Sequence, residues 1–217
     1  MSLHRLIVLA LALVFWLGPA HAEVAPQPHI EYPASSEFLV LELTGTGTLI
    51  TDPEQHPFIR IYGDGRVHVR RPSFVVNNPG DHEAYLSHSD LGELLSLCAS
   101  KGLMDFDSKA VKEDYDAAVR AKWSRTGSGA VDDADAGYTV LSIWLSEYTP
   151  VGRDSSTQNF HKRLLWRALP LAVSGYPEVE ALAQFQAVVE FLEAIEETVI
   201  ETAKRGEVSI SLPDIGE

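Results

Sequence analysis

Two runs of alternating apolar and polar residues flank Gly63-Asp64-Gly65 in the stretch from Pro57 to Arg71, PFIRIYGDGRVHVRR. Successive side chains of a strand point to opposite faces, so the stretch predicts a β-hairpin. Parity selects the loop. A two-residue Asp64-Gly65 loop would set Ile61 against His68 and scatter the apolar residues over both faces. A three-residue loop with Gly65 left-handed sets Ile61 against Val67 and Ile59 against Val69, which makes one dry face. The other face then carries Phe58, Arg60, Tyr62, Arg66, His68 and Arg70. Upstream, Glu37 to Leu43 alternates in the same way, with Leu39, Leu41 and Leu43 on one side and Phe38, Val40 and Glu42 on the other. Tyr138 to Tyr148 repeats the pattern, with Leu141, Ile143 and Leu145 opposed to Tyr138, Val140, Trp144 and Tyr148. A turn at Pro150, Gly152 and Asp154 leads to a return strand, Thr157–Arg163.

Elsewhere the period is helical. Leu91, Leu94, Leu95 and Cys98 form a stripe that Ser89 caps and Gly102 ends. Between the hairpin and this helix, His82 to Leu86 reads as a short strand. Ser108 to Trp123 has Val111, Tyr115, Val119 and Trp123 four apart, with Asp116 and Arg120 paired on the exposed side. The longest stripe is Ala181, Phe185, Val188, Leu192, Ile195 and Val199, entered at Pro177 and closed by Lys204, Arg205 and Gly206. Val208, Ile210 and Leu212 then alternate up to Pro213. Strands grouped with helices, without βαβ alternation, predict an α+β fold. The expected form is a twisted antiparallel sheet with helices packed on one face and a long C-terminal helix.

The N-terminus has a different pattern. His4 and Arg5 precede an apolar run from Leu6 to Leu17. Gly18 and Pro19 break it before Ala20-His21-Ala22, as in a cleavable secretion signal. The run is short of the roughly 20 residues that span a bilayer. The expected organisation is a cleaved signal at 1–22, a disordered linker at 23–36 (EVAPQPHIEYPASS) and one globular domain at 37–217, exported to the periplasm or secreted. Removing the signal leaves about 195 residues, enough for a single core. Cys98 stands alone, so no internal disulfide is available, and no cysteine follows the signal to carry a lipid.

Composition narrows the partners. The chain carries 17 Lys and Arg against 31 Asp and Glu, a formal charge of −14. Losing Arg5 with the signal makes it one unit more negative. Such a chain repels nucleic acid and anionic membranes except where cations cluster. They cluster on the polar hairpin face, where Arg60, Tyr62, Arg66, His68 and Arg70, with Arg71 at the edge, form a candidate anion- or partner-binding site. The alternative is a solvated face balanced by the domain's own acids. Tyr138, Trp144 and Tyr148 are a second candidate, an aromatic platform, unless a helix covers them.

Other chemistry is poorly supported. Asp132, Asp133 and Asp135 lack the spacing of a calcium loop. Asp81-His82-Glu83 with His88 lacks the rigid pair of a zinc site. Gly127-Ser128-Gly129 is no nucleophile elbow, and Gly45-Thr46-Gly47-Thr48 lacks the lysine of a phosphate loop. No catalytic residue, metal ligand or cofactor is assigned. The strand, Gly-Asp-Gly turn and strand, followed by an amphipathic helix ending SKGLMDFD, resemble bacterial secreted and lipoprotein families built on a domain of unknown function. The likeness covers Phe38 to Asp107, and more loosely the strand from Tyr138. It implies the order of elements and export, and names no site residue. This chain lacks the lipobox cysteine of many such proteins. The expected role is a non-catalytic envelope module that binds a protein or a small anionic ligand. The alternatives are a structural or assembly factor and a hydrolase with a dispersed site.

Overall fold

The computed structural model describes residues 27–46, 56–74, 77–127 and 136–213. The signal-like segment and the Asp132, Asp133 and Asp135 cluster lie outside them. Seven strands form one sheet: β1 (His29–Glu31), β2 (Leu39–Thr46), β3 (Phe58–Tyr62), β4 (Arg66–Arg71), β5 (Gly80–Tyr85), β6 (Tyr138–Thr149) and β7 (Thr157–Arg167). All their pairings are antiparallel. Across the sheet the order is β7, β6, β2, β3, β4, β5, and β1 extends the β2 side along the far end of β6. The helices are α1 (His88–Ser100), α2 (Ser108–Thr126), α3 (Leu169–Gly175) and α4 (Glu180–Lys204), with a 3₁₀ turn at Leu103–Asp105. The fold is α+β, as the periodicity predicts.

The hairpin has the predicted register, with Ile61 opposite Val67 and Ile59 opposite Val69. Gly65 closes its loop at φ 87°, and its N–H donates to the Tyr62 carbonyl at 2.9 Å. Residues Ile59, Ile61, Val67 and Val69 are buried against the helices, and so are Leu141, Ile143 and Leu164 of the neighbouring strands. On the helical side, Phe185, Val188, Leu192, Ile195 and Val199 of α4 meet Leu91, Leu94, Leu95 and Cys98 of α1 in the same core. Among the described residues no helix is long and apolar enough to cross a membrane.

Several local expectations are corrected. First, residues 27–36 do not behave as a free linker: His29–Glu31 pairs with β6, and the Gly63 N–H donates to the Phe38 carbonyl. The proline spacing hid three residues able to add to an edge. Second, a β-bulge between Leu39 and Leu41 turns Val40 into the core, where it is fully buried. Third, the cap of α1 is Ser87 and not Ser89. Its hydroxyl accepts from the Asp90 N–H while the Asp90 carboxylate accepts from the Ser87 N–H, a reciprocal capping box. Fourth, α4 starts at Glu180, three residues after Pro177, because Tyr176 and Val179 are drawn into the core as an ordered turn. Asp116 pairs with Lys112, not with the expected Arg120. Trp123, placed on the apolar stripe of α2, is 59% exposed. The return strand β7 continues four residues beyond Arg163, and α3 follows it.

Candidate functional site

All the helices lie on one face of the sheet, and strand register lays out the other face in rows. One row runs Arg163, Ser142, Glu42, Arg60, His68, Glu83 from β7 to β5. The next runs Leu165, Val140, Thr44, Phe58, Arg70, Asp81. Toward the hairpin turn lie His161 and Trp144 at one side, and Tyr62, Arg66 and Tyr85 at the other. The expected basic hairpin face therefore exists, with Arg60, Tyr62, Arg66, His68 and Arg70 on one surface.

Its charge is largely answered within the sheet. Arg60 Nε donates to Glu42 Oε1 at 2.6 Å, Arg66 to Glu83 at 3.0 Å and Arg70 to Asp81 at 2.8 Å. His68 Nε2 lies 3.1 Å from the same Asp81 carboxylate. The hydrogen bond from Arg70, helped by His68, holds the Asp81 carboxyl below the usual carboxylate range against the opposing effect of burial. Arg66 also reaches the Ser36 carbonyl at 3.2 Å, tying the chain before β2 over the hairpin turn. The guanidinium carbons of Arg60 and Arg70 sit 4.0 and 5.0 Å from the Phe58 ring centre, and the His68 ring meets it edge-on. Phe58 is left only 7% exposed by these stems. The arginines of β3 and β4 thus shield an apolar ring and neutralise three acids.

Arg71 belongs elsewhere. One residue past Arg70, it turns to the helical face and donates to Glu196 at 2.5 Å and to Glu197 of α4, with its side chain 12% exposed. It fastens the end of β4 to α4 and is removed from the candidate surface. Arg71 has the parity of the buried Val67 and Val69, which directs it to the inner face.

The aromatic row is also divided. Trp144 remains on the helix-free face, stacked on His161 of β7 with ring centres 5.1 Å apart and planes 7° from parallel. Tyr138 is exposed nearby, across the ladder from Arg167. Tyr148 is on the helical side, 4% exposed against Phe160. The alternation breaks between them, where Asn159 in β7 takes a φ of 50°. Burial pushes the Tyr148 hydroxyl pKa up, and so does the nearby Asp105 carboxylate.

Three features were not anticipated. Arg163 is exposed beside the Trp144–His161 stack and, unlike Arg60, Arg66 and Arg70, meets no carboxylate among the described residues. The expected return strand ends at this residue, whereas in β7 it lies well inside the strand. A cleft of about 690 Å³ opens between Gln27, Leu97, Ser100, Asp105, Tyr148 and Arg153. Its perturbed group is a tyrosine held protonated, which supplies neither a nucleophile nor a base. Finally, His29, Glu31 and Glu147 bring ligand atoms within 4.8 Å of one another across the β1–β6 ladder. They could hold a divalent cation, but the His29 ring already pairs with Glu31 at 3.0 Å. Hydrogen bonds from Ser156 and Gln158 hold the Glu147 carboxyl below its ordinary range. In the Asp81-His82-Glu83 and His88 cluster, His82 reaches the Asn78 carbonyl and His88 the Tyr32 hydroxyl. Cys98 is fully buried, and burial pushes its thiol up to about 12.

The protein is thus an α+β domain with one sheet face left open by its helices. No protein-family model matches the chain, and no curated protein matches it.

Proposed function

We propose that the chain is a non-catalytic binding module acting outside the cytoplasm, and that the β6–β7 side of its helix-free sheet face takes a carboxylate-bearing segment of a partner protein. The observation that carries this reading is Arg163, exposed and without a carboxylate partner among the described residues, beside the stacked Trp144 and His161. In a chain of formal charge −14, a guanidinium on an open sheet face is a local attractor for anions. Its planar fork matches a carboxylate, and the neighbouring indole gives rigid apolar contact area. The hairpin arginines play a supporting part, because an incoming anion must compete with Glu42, Asp81 and Glu83 for them. Export is supported by the Leu6–Leu17 run and the Ala20-His21-Ala22 site. N-terminal sequencing of the protein recovered from outside the cytoplasm should begin at Glu23; an intact N-terminus inside the cell refutes it.

The binding test uses a labelled Glu-rich peptide and fluorescence anisotropy at low salt. Arg163→Glu should weaken capture at least about tenfold, while Arg120→Glu on α2 should leave it within about twofold. Equal losses from both variants, or none from Arg163→Glu, would refute a site at this position.

A further inference from the structure

We infer that β7 is the docking edge for that partner, which binds by adding an acidic extended strand to the sheet; this rests on the anionic-partner reading above. β7 pairs with β6 along one side only, and among the described residues no backbone hydrogen bond reaches its other side. From Phe160 to Arg167, beyond the kink at Asn159, the edge is about 27 Å long at some 3.4 Å per residue. Half of its N–H and C=O groups point outward and are able to pair with another strand. The opposite edge of the sheet is treated differently. There the chain itself returns: Tyr85 donates to the Val208 carbonyl, and Ile210 donates to the Tyr85 carbonyl. The C-terminal segment thus occupies one residue of the β5 edge, whereas among the described residues nothing pairs with the outer side of β7.

Charge selects the occupant. Within Thr157–Arg167 there is no acid, and His161, Lys162, Arg163 and Arg167 are all basic or protonatable. Charges on an edge also keep unwanted strands away, and here every charge has the same sign. Two copies of β7 paired about a twofold axis would bring these cations together across the ladder, which is destabilising. Most of this chain's surplus charge is negative, so the cations are placed where an acidic strand from another protein would gain most. Register gives the expected motif. Arg163 and Leu165 share the helix-free face, while Lys162 is on the helical side. A bound strand therefore carries adjacent acids opposite Lys162 and Arg163, with an apolar residue opposite Leu165.

Three peptides of about ten residues test this: Asp-Glu pairs set among valines and threonines, the same sequence N-methylated at alternate residues, and a scrambled version. The unmodified peptide should bind, and hydrogen exchange should slow at alternate amides of Phe160 to Arg167. N-methylation of the pairing edge should cost at least about tenfold, because it removes donors without altering charge. Scrambling should cost several-fold, and Lys162→Glu with Arg163→Glu should abolish binding. Should methylated and unmodified peptides bind alike, with no protection of β7, strand addition is overturned while the Arg163 anion site stands. Failure of every peptide to bind overturns both. A concentration-dependent dimer protected at β7 would assign the edge to a second copy, and so would overturn the acidic partner.

Discussion

Replacing Gly63 by alanine tests whether the chain before β2 is seated on the hairpin turn. Gly63 has no need of a positive φ, so alanine's backbone preferences are satisfied there. The obstacle is steric: a Cβ at this position would stand 1.8 Å from the Pro33 carbonyl oxygen and 3.1 Å from the Ser35 nitrogen. To restore ordinary contact, the 33–36 backbone must retreat by more than about 1 Å, and a packed interior resists that. Retreat stretches the Gly63 to Phe38 hydrogen bond of 2.9 Å and the Arg66 contact to the Ser36 carbonyl. Each is worth about 1 kcal/mol, and the strain of an overfilled site adds about 1–3 kcal/mol. The expected loss is about 3–5 kcal/mol, or roughly 6–20 °C in Tm for a chain of this size. Gly92→Ala is the control. It lies inside α1 with nothing within 4 Å of the added Cβ, so it should gain about 0.5–1 kcal/mol. Urea unfolding with an unchanged slope gives both values, and hydrogen exchange in the Gly63→Ala variant should quicken across 28–38 while α4 stays protected. If Gly63→Ala unfolds within about 0.5 kcal/mol of the parent, the segment is not seated there and residues 27–36 are a linker after all.

Changing Arg60, Arg66 and Arg70 together to Ser should lower stability by about 2–3 kcal/mol, because it exposes Phe58 and strands three acids, whereas Arg163→Ser should stay within about 0.5 kcal/mol. Chemical denaturation of both variants decides it, and equal stability of the triple variant would mean that its arginines are spare for a ligand. For pH dependence, Glu193 and Asp81 should act in opposite directions. Partial desolvation of its carboxyl, with Glu196 and Glu190 nearby, raises the otherwise exposed Glu193, so its modest penalty grows as pH rises through the ordinary carboxylate range. Glu193→Gln should therefore stabilise at neutral pH and match the parent in acid. Asp81 is held down by Arg70 and His68, so its contribution is present near neutrality and disappears as pH falls through its depressed value. Asp81→Asn should be less stable at pH 7 and converge with the parent in acid, once the Asp81 carboxyl is protonated; unfolding curves that keep their separation there would refute the assignment.

The elements that could be read from the sequence are those whose buried face repeats without interruption. The hairpin register follows from parity, because the two-residue Asp64-Gly65 loop would have put Ile59 and Val69 on different faces. The stripe of α4 is equally secure, since Phe185 through Val199 returns to the same side for several turns. Errors appear where the backbone departs from strict period. The bulge at Leu39–Leu41 rotates Val40 inward, and the kink at Asn159 separates Trp144 from Tyr148. Neither carries glycine, and a lone asparagine, although it takes a positive φ more readily than most residues, is too common to mark the kink. β1 is missed for another reason: three residues paired to an edge make no pattern, and their pairing is specified by β6.

The candidate site shows the difference between finding residues and knowing their state. Spacing alone placed Arg60, Arg66, His68 and Arg70 on one face, but could not show that Glu42, Asp81 and Glu83 come from strands on either side to meet them. Those acids are far away in sequence, and they converge because β2 and β5 flank the hairpin. Summing the cations of one segment overstates a field that neighbouring strands cancel. The same topology explains where cationic charge survives. β7 is last in the order, so it has a flanking strand on one side only, and β6 sets Ser142 beside Arg163 where β2 sets Glu42 beside Arg60. A residue on a terminal strand has half the chances of a cross-strand acid, and Arg163 has none among the described residues. The available cation is therefore a consequence of strand order, and the open backbone edge beside it has the same cause.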